Sequence, residues 1–159
     1  MNTDTATHVE ILPSHKEAFL KSILTDAPYE ETLELFDGQI KAKFRSMTVQ
    51  ENNDVVNQVV LDRDAGTASD NDAYFITIST YRLALSLVSI DNKPFSEITK
   101  ETYTPTDEKD SYVLAKAKPM TSWATPKLSI YLDAFRQFEG RVLKLTNEVQ
   151  TPNFWKASA

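Results

Sequence analysis

Apolar and polar residues alternate on both sides of an Asp-Gly pair between residues 32 and 45. A period of two residues is typical of a strand that is buried on one face. Asp37-Gly38 favours a type I′ turn, because both central residues of that turn need a positive φ. The pattern therefore predicts a β-hairpin whose strands share one apolar face, formed by Leu33, Leu35, Ile40, Ala42 and Phe44.

Apolar residues spaced by three and four predict amphipathic helices elsewhere in the chain. Two of these helices begin at capping boxes, Ser14 with Glu17 and Thr48 with Glu51. The first runs to about Thr25, and the second carries four valines at helical spacing. The longest helix begins near Thr125-Pro126, with the threonine as cap, and extends for about six turns. Its apolar positions are Leu128, Tyr131, Leu132, Phe135, Phe138, Val142, Leu145 and Val149.

The segments between these elements are less regular. Residues 72–88 are the most apolar stretch; their length favours a helix, although their β-branched content leaves a strand as an alternative. Residues 112–120 fit a helix or a strand. Residues 62–72 are predicted to form a surface loop, and residues 95–111 a linker without regular structure. Residues 89–95 fit a turn, alone or with a short extended piece.

These elements predict an α+β fold that is mainly helical, with one β-hairpin packed on the helices. A lone hairpin is marginally stable in water, so helices must cover its apolar face. We expect an N-terminal arm over residues 1–10, a single domain over 11–150 that contains the hairpin 32–45, and a C-terminal arm over 151–159.

Composition narrows the possible functions of the 159-residue chain. Its 17 Lys and Arg against 23 Asp and Glu give a net charge of −6, which would repel a phosphate backbone. There is no cysteine, no apolar run long enough to span a membrane, and no glycine-rich phosphate loop. The two histidines, His8 and His15, lack the partners of a metal site or a catalytic triad. We therefore predict no enzymatic activity, no cofactor, no metal, no nucleic acid and no membrane as a partner.

Two groups of residues are candidates for binding a partner protein. Lys41, Lys43 and Arg45 form a basic row on the polar face of the hairpin. This row either guards an exposed edge or forms the rim of a site for an acidic partner. Phe154 and Trp155 follow the last helix, and large aromatic side chains in a free tail either fold back on the domain or anchor in another chain.

Two phrases of the sequence carry a family resemblance. Residues 44–51 read Phe-Arg-Ser-Met-Thr-Val-Gln-Glu and open a helix, and residues 85–95 read Leu-Ser-Leu-Val-Ser-Ile-Asp-Asn-Lys-Pro-Phe and end an apolar helix. Over residues 44–95, about a third of the chain, the protein resembles the tail assembly chaperones and baseplate-hub assembly proteins of tailed phages. The hairpin and the aromatic tail lie outside this pattern.

The resemblance implies a small assembly protein without catalytic residues. It suggests a non-enzymatic structural or adaptor protein of a bacteriophage tail or baseplate, made in the bacterial host cytoplasm and kept in the virion. Its partners would be other tail or baseplate proteins, and it would be present in multiple copies. The alternative is a tail assembly chaperone that shields a tape-measure or hub protein and then leaves, and a third hypothesis is a small enzyme.

Overall fold

The structure is a computed structural model, and it describes residues 10–66, 71–152 and 154, with the backbone alone for 71–74. Over these residues the chain forms five α-helices and one four-stranded antiparallel sheet in the order β1-β2-β3-β4. A short 3₁₀ helix, Lys118–Ser122, follows α4. The elements are α1 (Pro13–Thr25), β1 (Glu30–Leu35), β2 (Ile40–Arg45), α2 (Val49–Asp64), α3 (Asn71–Ser86), β3 (Leu87–Ile90), β4 (Lys93–Pro94), α4 (Tyr112–Ala117) and α5 (Thr125–Glu148).

The predicted hairpin forms with its strands in the expected register. Leu33 lies opposite Ala42 and Leu35 lies opposite Ile40. Ala42 and Phe44 are fully buried, and Leu33 and Ile40 pack against the core as half-buried residues. The apolar face that the alternation predicts is therefore the face that the helices cover.

The Asp-Gly pair occupies the centre of the hairpin turn, as predicted. Asp37 and Gly38 have φ values of 55° and 82°, and the N–H of Gln39 donates to the carbonyl of Phe36 at 3.3 Å. Positive φ at both central residues is the requirement of a type I′ turn. Phe36 also has a positive φ, 54°, so β1 ends one residue earlier than the alternation suggests.

The sheet is larger than the single hairpin that the sequence predicts. β3 follows α3 directly and pairs with β2, with Ala42 opposite Ile90. A tight turn at Asp91 and Asn92, where φ is 50° and 64°, then returns the chain into β4. The predicted helix extends two residues too far, because pairing with β2 places Leu87 and Val88 in a strand. The predicted turn forms at Asp91 and Asn92, and β4 is the short extended piece that follows it.

The longest helix forms and presents the predicted apolar face. It begins at Thr125, so Ala124, and not the threonine, is the residue before the helix. Val142 is half-buried at the edge of this face. The buried residues of α5 are Tyr131, Leu132, Ala134, Phe135, Phe138 and Leu145.

Aromatic rings join α5 to the hairpin at the centre of the core. The Phe138 ring stacks on Phe44 with 5.7 Å between centroids, and on Tyr29 with 6.0 Å. Phe135 lies 6.1 Å from Phe44. Such pairs are worth about 0.5–1.5 kcal/mol beyond the area they bury. This cluster holds α5 against the sheet and fixes the position of the middle of the helix.

Four segments that are open or irregular by sequence take the following forms. Residues 72–88 are helical through Ser86, as their length favours, and residues 112–120 form α4 and the start of the 3₁₀ helix. Residues 95–111 have no helix or strand, in agreement with the prediction. α2 extends to Asp64, so the predicted loop 62–72 starts later than expected, and part of it lies outside the described residues.

The two predicted capping boxes have different outcomes. At α2, the Thr48 side chain accepts from the Glu51 N–H at 3.1 Å and the Glu51 carboxylate accepts from the Thr48 N–H at 3.0 Å, so that box is confirmed. The box predicted at Ser14 does not cap α1, because the helix begins one residue before Ser14. His15 closes the helix start instead, since its Nδ1 accepts from the N–H of Leu12 at 3.0 Å.

We expect this histidine cap to make stability depend on pH between about 7 and 5. Burial lowers the pKa of His15 from its ordinary value, with Arg141 acting in the same direction and with Glu31 and Glu10 opposing it. The folded state then binds fewer protons than the unfolded chain. His15 therefore contributes stability that is fully present above the unfolded pKa of about 6.5 and is lost as the pH falls.

Urea denaturation of the His15→Asn variant at several pH values tests this expectation. Asparagine keeps an oxygen acceptor and does not titrate, so the stability of the variant should vary less over this range. His8→Asn is the matched control, since His8 is the only other histidine, and it lies outside the described residues. An unchanged pH dependence in His15→Asn would show that the cap is not its source.

Candidate functional site

A groove of about 480 Å³, here called the α5 groove, lies beside the middle of α5. Its walls are the β2–α2 connection, the start of α2, the end of α3 and the middle of α5. Its apolar lining comes from Phe135 and Phe138, which are buried, from Met47 and Val142, which are half-buried, and from the exposed Leu143. The groove therefore lies directly over the aromatic cluster that joins α5 to the hairpin.

Arg82 ties three helices together at one end of the groove. Its Nε donates to the Glu139 carboxylate on α5 at 3.1 Å, and its Nη1 donates to the Asn52 side chain on α2 at 2.6 Å. Both side chains of the ion pair are about one-third exposed. The guanidinium thus has its charge balanced within the chain, and it shapes the groove without offering a free cation.

Arg45 is held in the same way at the other side of the groove. Its Nη1 donates to Glu51 at 2.9 Å, and its Nη2 makes a second bond to the same carboxylate. Burial opposes the charge of Glu51, but hydrogen bonds from Arg45 and Thr48 outweigh it and hold the pKa of Glu51 below its ordinary value. The bond to Glu51 in turn raises the pKa of Arg45 against the effect of burial. A bidentate pair of this kind leaves Arg45 committed to its own chain.

The hydroxyl groups of the groove also have partners within the chain. Ser86 donates to the carbonyl of Arg45 at 2.5 Å, Ser46 accepts from the N–H of Tyr29 at 2.9 Å, and Thr146 donates to the carbonyl of Val142 at 2.7 Å. No described histidine or cysteine lines the groove. The arrangement suits contact with apolar groups better than proton transfer or nucleophilic attack.

The basic row lies on the polar face of the hairpin, as predicted, but its members have different environments. Lys41 is exposed, and Lys43 pairs with Glu30 at 3.0 Å. Arg45 alone lines the α5 groove. The three cations therefore do not converge on one site. Lys43 and Arg45 each form an ion pair with a carboxylate of their own chain.

The two aromatic residues of the tail separate. Phe154 is 2% exposed and belongs to the hydrophobic core of its own chain, with the Lys16 ammonium 5.9 Å from its ring centroid. For Phe154 the structure therefore shows the first of the two alternatives, a ring that folds back on its own domain. Trp155 lies outside the described residues, so its anchor role stays a prediction.

A buried ion pair that the sequence analysis missed connects β1 to α5. Arg141 pairs with Glu31, whose side chains are 13% and 4% exposed. The Tyr29 hydroxyl donates to the other oxygen of Glu31, and the Arg141 Nε donates to the carbonyl of Glu10 at 2.9 Å. Burial, with the bond to Glu31, raises the pKa of Tyr29 far above its ordinary value. The cluster holds the segment before α1 against α5.

Two other classes of site, a metal centre and a membrane span, are absent from the described ranges. Among these residues, no three acidic or histidine side chains are grouped so that they could hold a metal ion. None of the helices described here combines the length and the apolar character that crossing a membrane requires. We take the α5 groove as the candidate site because it lies over the aromatic core and includes the exposed side chain of Leu143. Comparison of the chain with protein-family models, curated proteins and solved structures finds no match.

Proposed function

We propose that this protein is a non-enzymatic structural or adaptor protein of a bacteriophage tail or baseplate. In this proposal the α5 groove receives an apolar side chain from a neighbouring tail or baseplate protein. One observation supports the contact above all others: the polar side chains of the groove bind one another, whereas Leu143 is exposed and Met47 and Val142 are only partly buried.

The position of the groove also agrees with the resemblance to phage assembly proteins. Residues 44–51 supply Arg45, Ser46 and Met47 to the groove, and residues 85–95 supply Ser86. The two phrases therefore meet beneath the groove, where Ser86 is fully buried and its hydroxyl donates to the carbonyl of Arg45.

The energetics of the groove favour an apolar anchor. Burial of apolar surface contributes about 25 cal/mol per Å² removed from water. Leu143 is 63% exposed on the otherwise amphipathic α5, so its burial against a partner would add to affinity. The charged pairs that line the groove keep their hydrogen bonds when a partner covers it. This limits the free-energy cost of removing water from these pairs.

The assignment to a virion is tested by mass spectrometry of purified tailed particles made by cells that carry the gene. A structural component should appear in fixed stoichiometry with the other tail proteins. A tail assembly chaperone should appear in assembly intermediates and be absent from finished particles. Absence from both would overturn the phage assignment.

The groove contact is tested separately by photo-crosslinking during assembly. With p-benzoylphenylalanine in place of Leu143, we expect crosslinks to one or a few tail proteins. Lys144 is the matched control, since it is exposed on the same helix and does not line the groove. Equal crosslinking from both positions would contradict a specific contact at the groove.

A further inference from the structure

The α5 groove offers an open hydrogen-bond acceptor beside its apolar lining. Both bonds from Arg82 reach the same oxygen of Glu139, Oε2, and the other oxygen, Oε1, accepts no bond from any described residue. The Glu139 side chain is 35% exposed on the wall of the groove. An incoming group that suits this surface therefore has an apolar body and one N–H or O–H at its edge.

Trp155, which lies outside the described residues, has this chemistry, because an indole ring combines a large apolar surface with a single N–H donor. A cavity of about 150 Å³ already holds benzene. A groove of about 480 Å³ therefore has room for the larger indole ring. Lys156 follows the tryptophan, and residues 151–159 contain no Asp or Glu. This segment can approach a chain of net charge −6 without repulsion.

The position of Phe154 keeps Trp155 away from the α5 groove of its own chain. Phe154 is buried beside Lys16, and Lys16 pairs with Glu148 of α5 at 3.8 Å. Glu148 follows Glu139 by about two and a half turns, so the two residues lie on opposite sides of the helix and about 14 Å apart along its axis. Consecutive Cα atoms are about 3.8 Å apart, and one such step with an indole side chain falls short of this path. Trp155 can therefore meet this groove in a second copy of the chain.

We propose that Trp155 of one copy of this chain docks in the α5 groove of a second copy. The indole ring then lies on Met47, Val142 and Leu143, and its N–H donates to Oε1 of the carboxylate on the groove wall. The inference rests on the proposed function in using the α5 groove as a docking surface, and it names the neighbouring protein as another copy. Each copy supplies one tail and one groove, so the association is head to tail and continues until the copies close into a ring.

Sedimentation velocity at up to about millimolar concentration tests the contact, and the wild-type chain should associate reversibly. Trp155→Ala keeps the groove and removes the anchor, whereas Leu143→Glu keeps the anchor and places a charge in the groove. Each variant alone should associate about thirty-fold more weakly than the wild-type chain, as is usual for loss of an aromatic anchor. Mixed in equal amounts, the two variants should form a one-to-one dimer that grows no further, because one complete pair of tail and groove remains.

Leu24→Glu is the matched control for the added charge, since Leu24 is 70% exposed on α1 and does not line the groove. This control should associate as the wild-type chain does. Every variant keeps Phe154, so the thermal unfolding of the dilute variants should match that of the wild-type chain. A wild-type chain that stays monomeric, a mixture that associates no better than its two components, or an equal loss in Leu24→Glu would overturn the docking. A large fall in the thermal stability of Trp155→Ala would place the ring in its own core and overturn it as well.

Photo-crosslinking in a mixture of isotopically light and heavy chains gives an independent readout. With p-benzoylphenylalanine in place of Trp155, crosslinked peptides that join position 155 to Met47 or Leu143 should pair the two isotopes. Crosslinks that join chains of the same isotope alone, or that miss the groove, would contradict docking in a second copy. If the groove instead crosslinks to other tail proteins alone during assembly, the proposed function stands and this pairing fails.

Discussion

Replacement of Arg141 by methionine should lower the free energy of unfolding by about 3–5 kcal/mol, the usual cost of leaving one member of a buried ion pair without its partner. The Glu31 side chain is 4% exposed, and its carboxylate also accepts from the buried Tyr29 hydroxyl. Without Arg141 the Glu31 carboxylate is a buried charge that has lost its cation. The same change removes the hydrogen bond that holds the Glu10 carbonyl.

Arg136→Met is the control for this prediction. Arg136 pairs with Asp133 on the same helix at 2.8 Å, but the two side chains are 61% and 69% exposed. Exposed pairs contribute about 0–1 kcal/mol and weaken further in salt. Chemical denaturation at low and high salt measures both variants. Equal losses of stability would contradict the buried pair, and addition of Glu31→Gln to Arg141→Met should recover part of the loss.

The sequence predicts the hairpin and the long helix because their signals are local. Asp37-Gly38 lies between two alternating runs, and positive φ at both residues is a property of that dipeptide. The spacing of Tyr131, Phe135 and Phe138 is likewise a property of α5 alone. No contact with a distant part of the chain is needed to recognise either element.

The third and fourth strands could not be predicted in the same way. Leu85 and Leu87 both fit the apolar pattern that runs through α3, and nothing local marks the change at Ser86. The change occurs because β2 offers an open edge to which β3 can bind. Phe154 is similar, since the core that receives its ring is formed by residues far away in the chain.

The candidate site was recognised only in part. The alternation places Arg45 correctly on the polar face of the hairpin. It does not reveal that Glu51, the carboxylate of the α2 capping box, also balances the charge of Arg45. Arg82 and Glu139 are 57 residues apart, and no local pattern links them. Glu31 did have a signal in the sequence. It lies two residues before Leu33, on the face of β1 that turns toward the core. A charged residue on such a face requires a buried partner.

The other large effect is expected in the aromatic core. Phe138→Ala should lower the free energy of unfolding by about 3–5 kcal/mol, as is usual for loss of a buried phenylalanine. Phe138 is 2% exposed and contacts the rings of Tyr29, Phe44 and Phe135. Its removal leaves a cavity where the sheet meets α5, and the rigid elements around it can close that cavity only in part.

Leu143→Ala provides the comparison within the same helix. Leu143 is 63% exposed, so its truncation should change stability by no more than about 0.5 kcal/mol. Denaturant unfolding of the two variants at low protein concentration measures the difference in the isolated chain. A loss of stability in Phe138→Ala no larger than that in Leu143→Ala would show that α5 does not pack on the hairpin through this ring. A large loss confined to Phe138→Ala would place the main stabilising contact of the fold between α5 and β2, directly beneath the α5 groove.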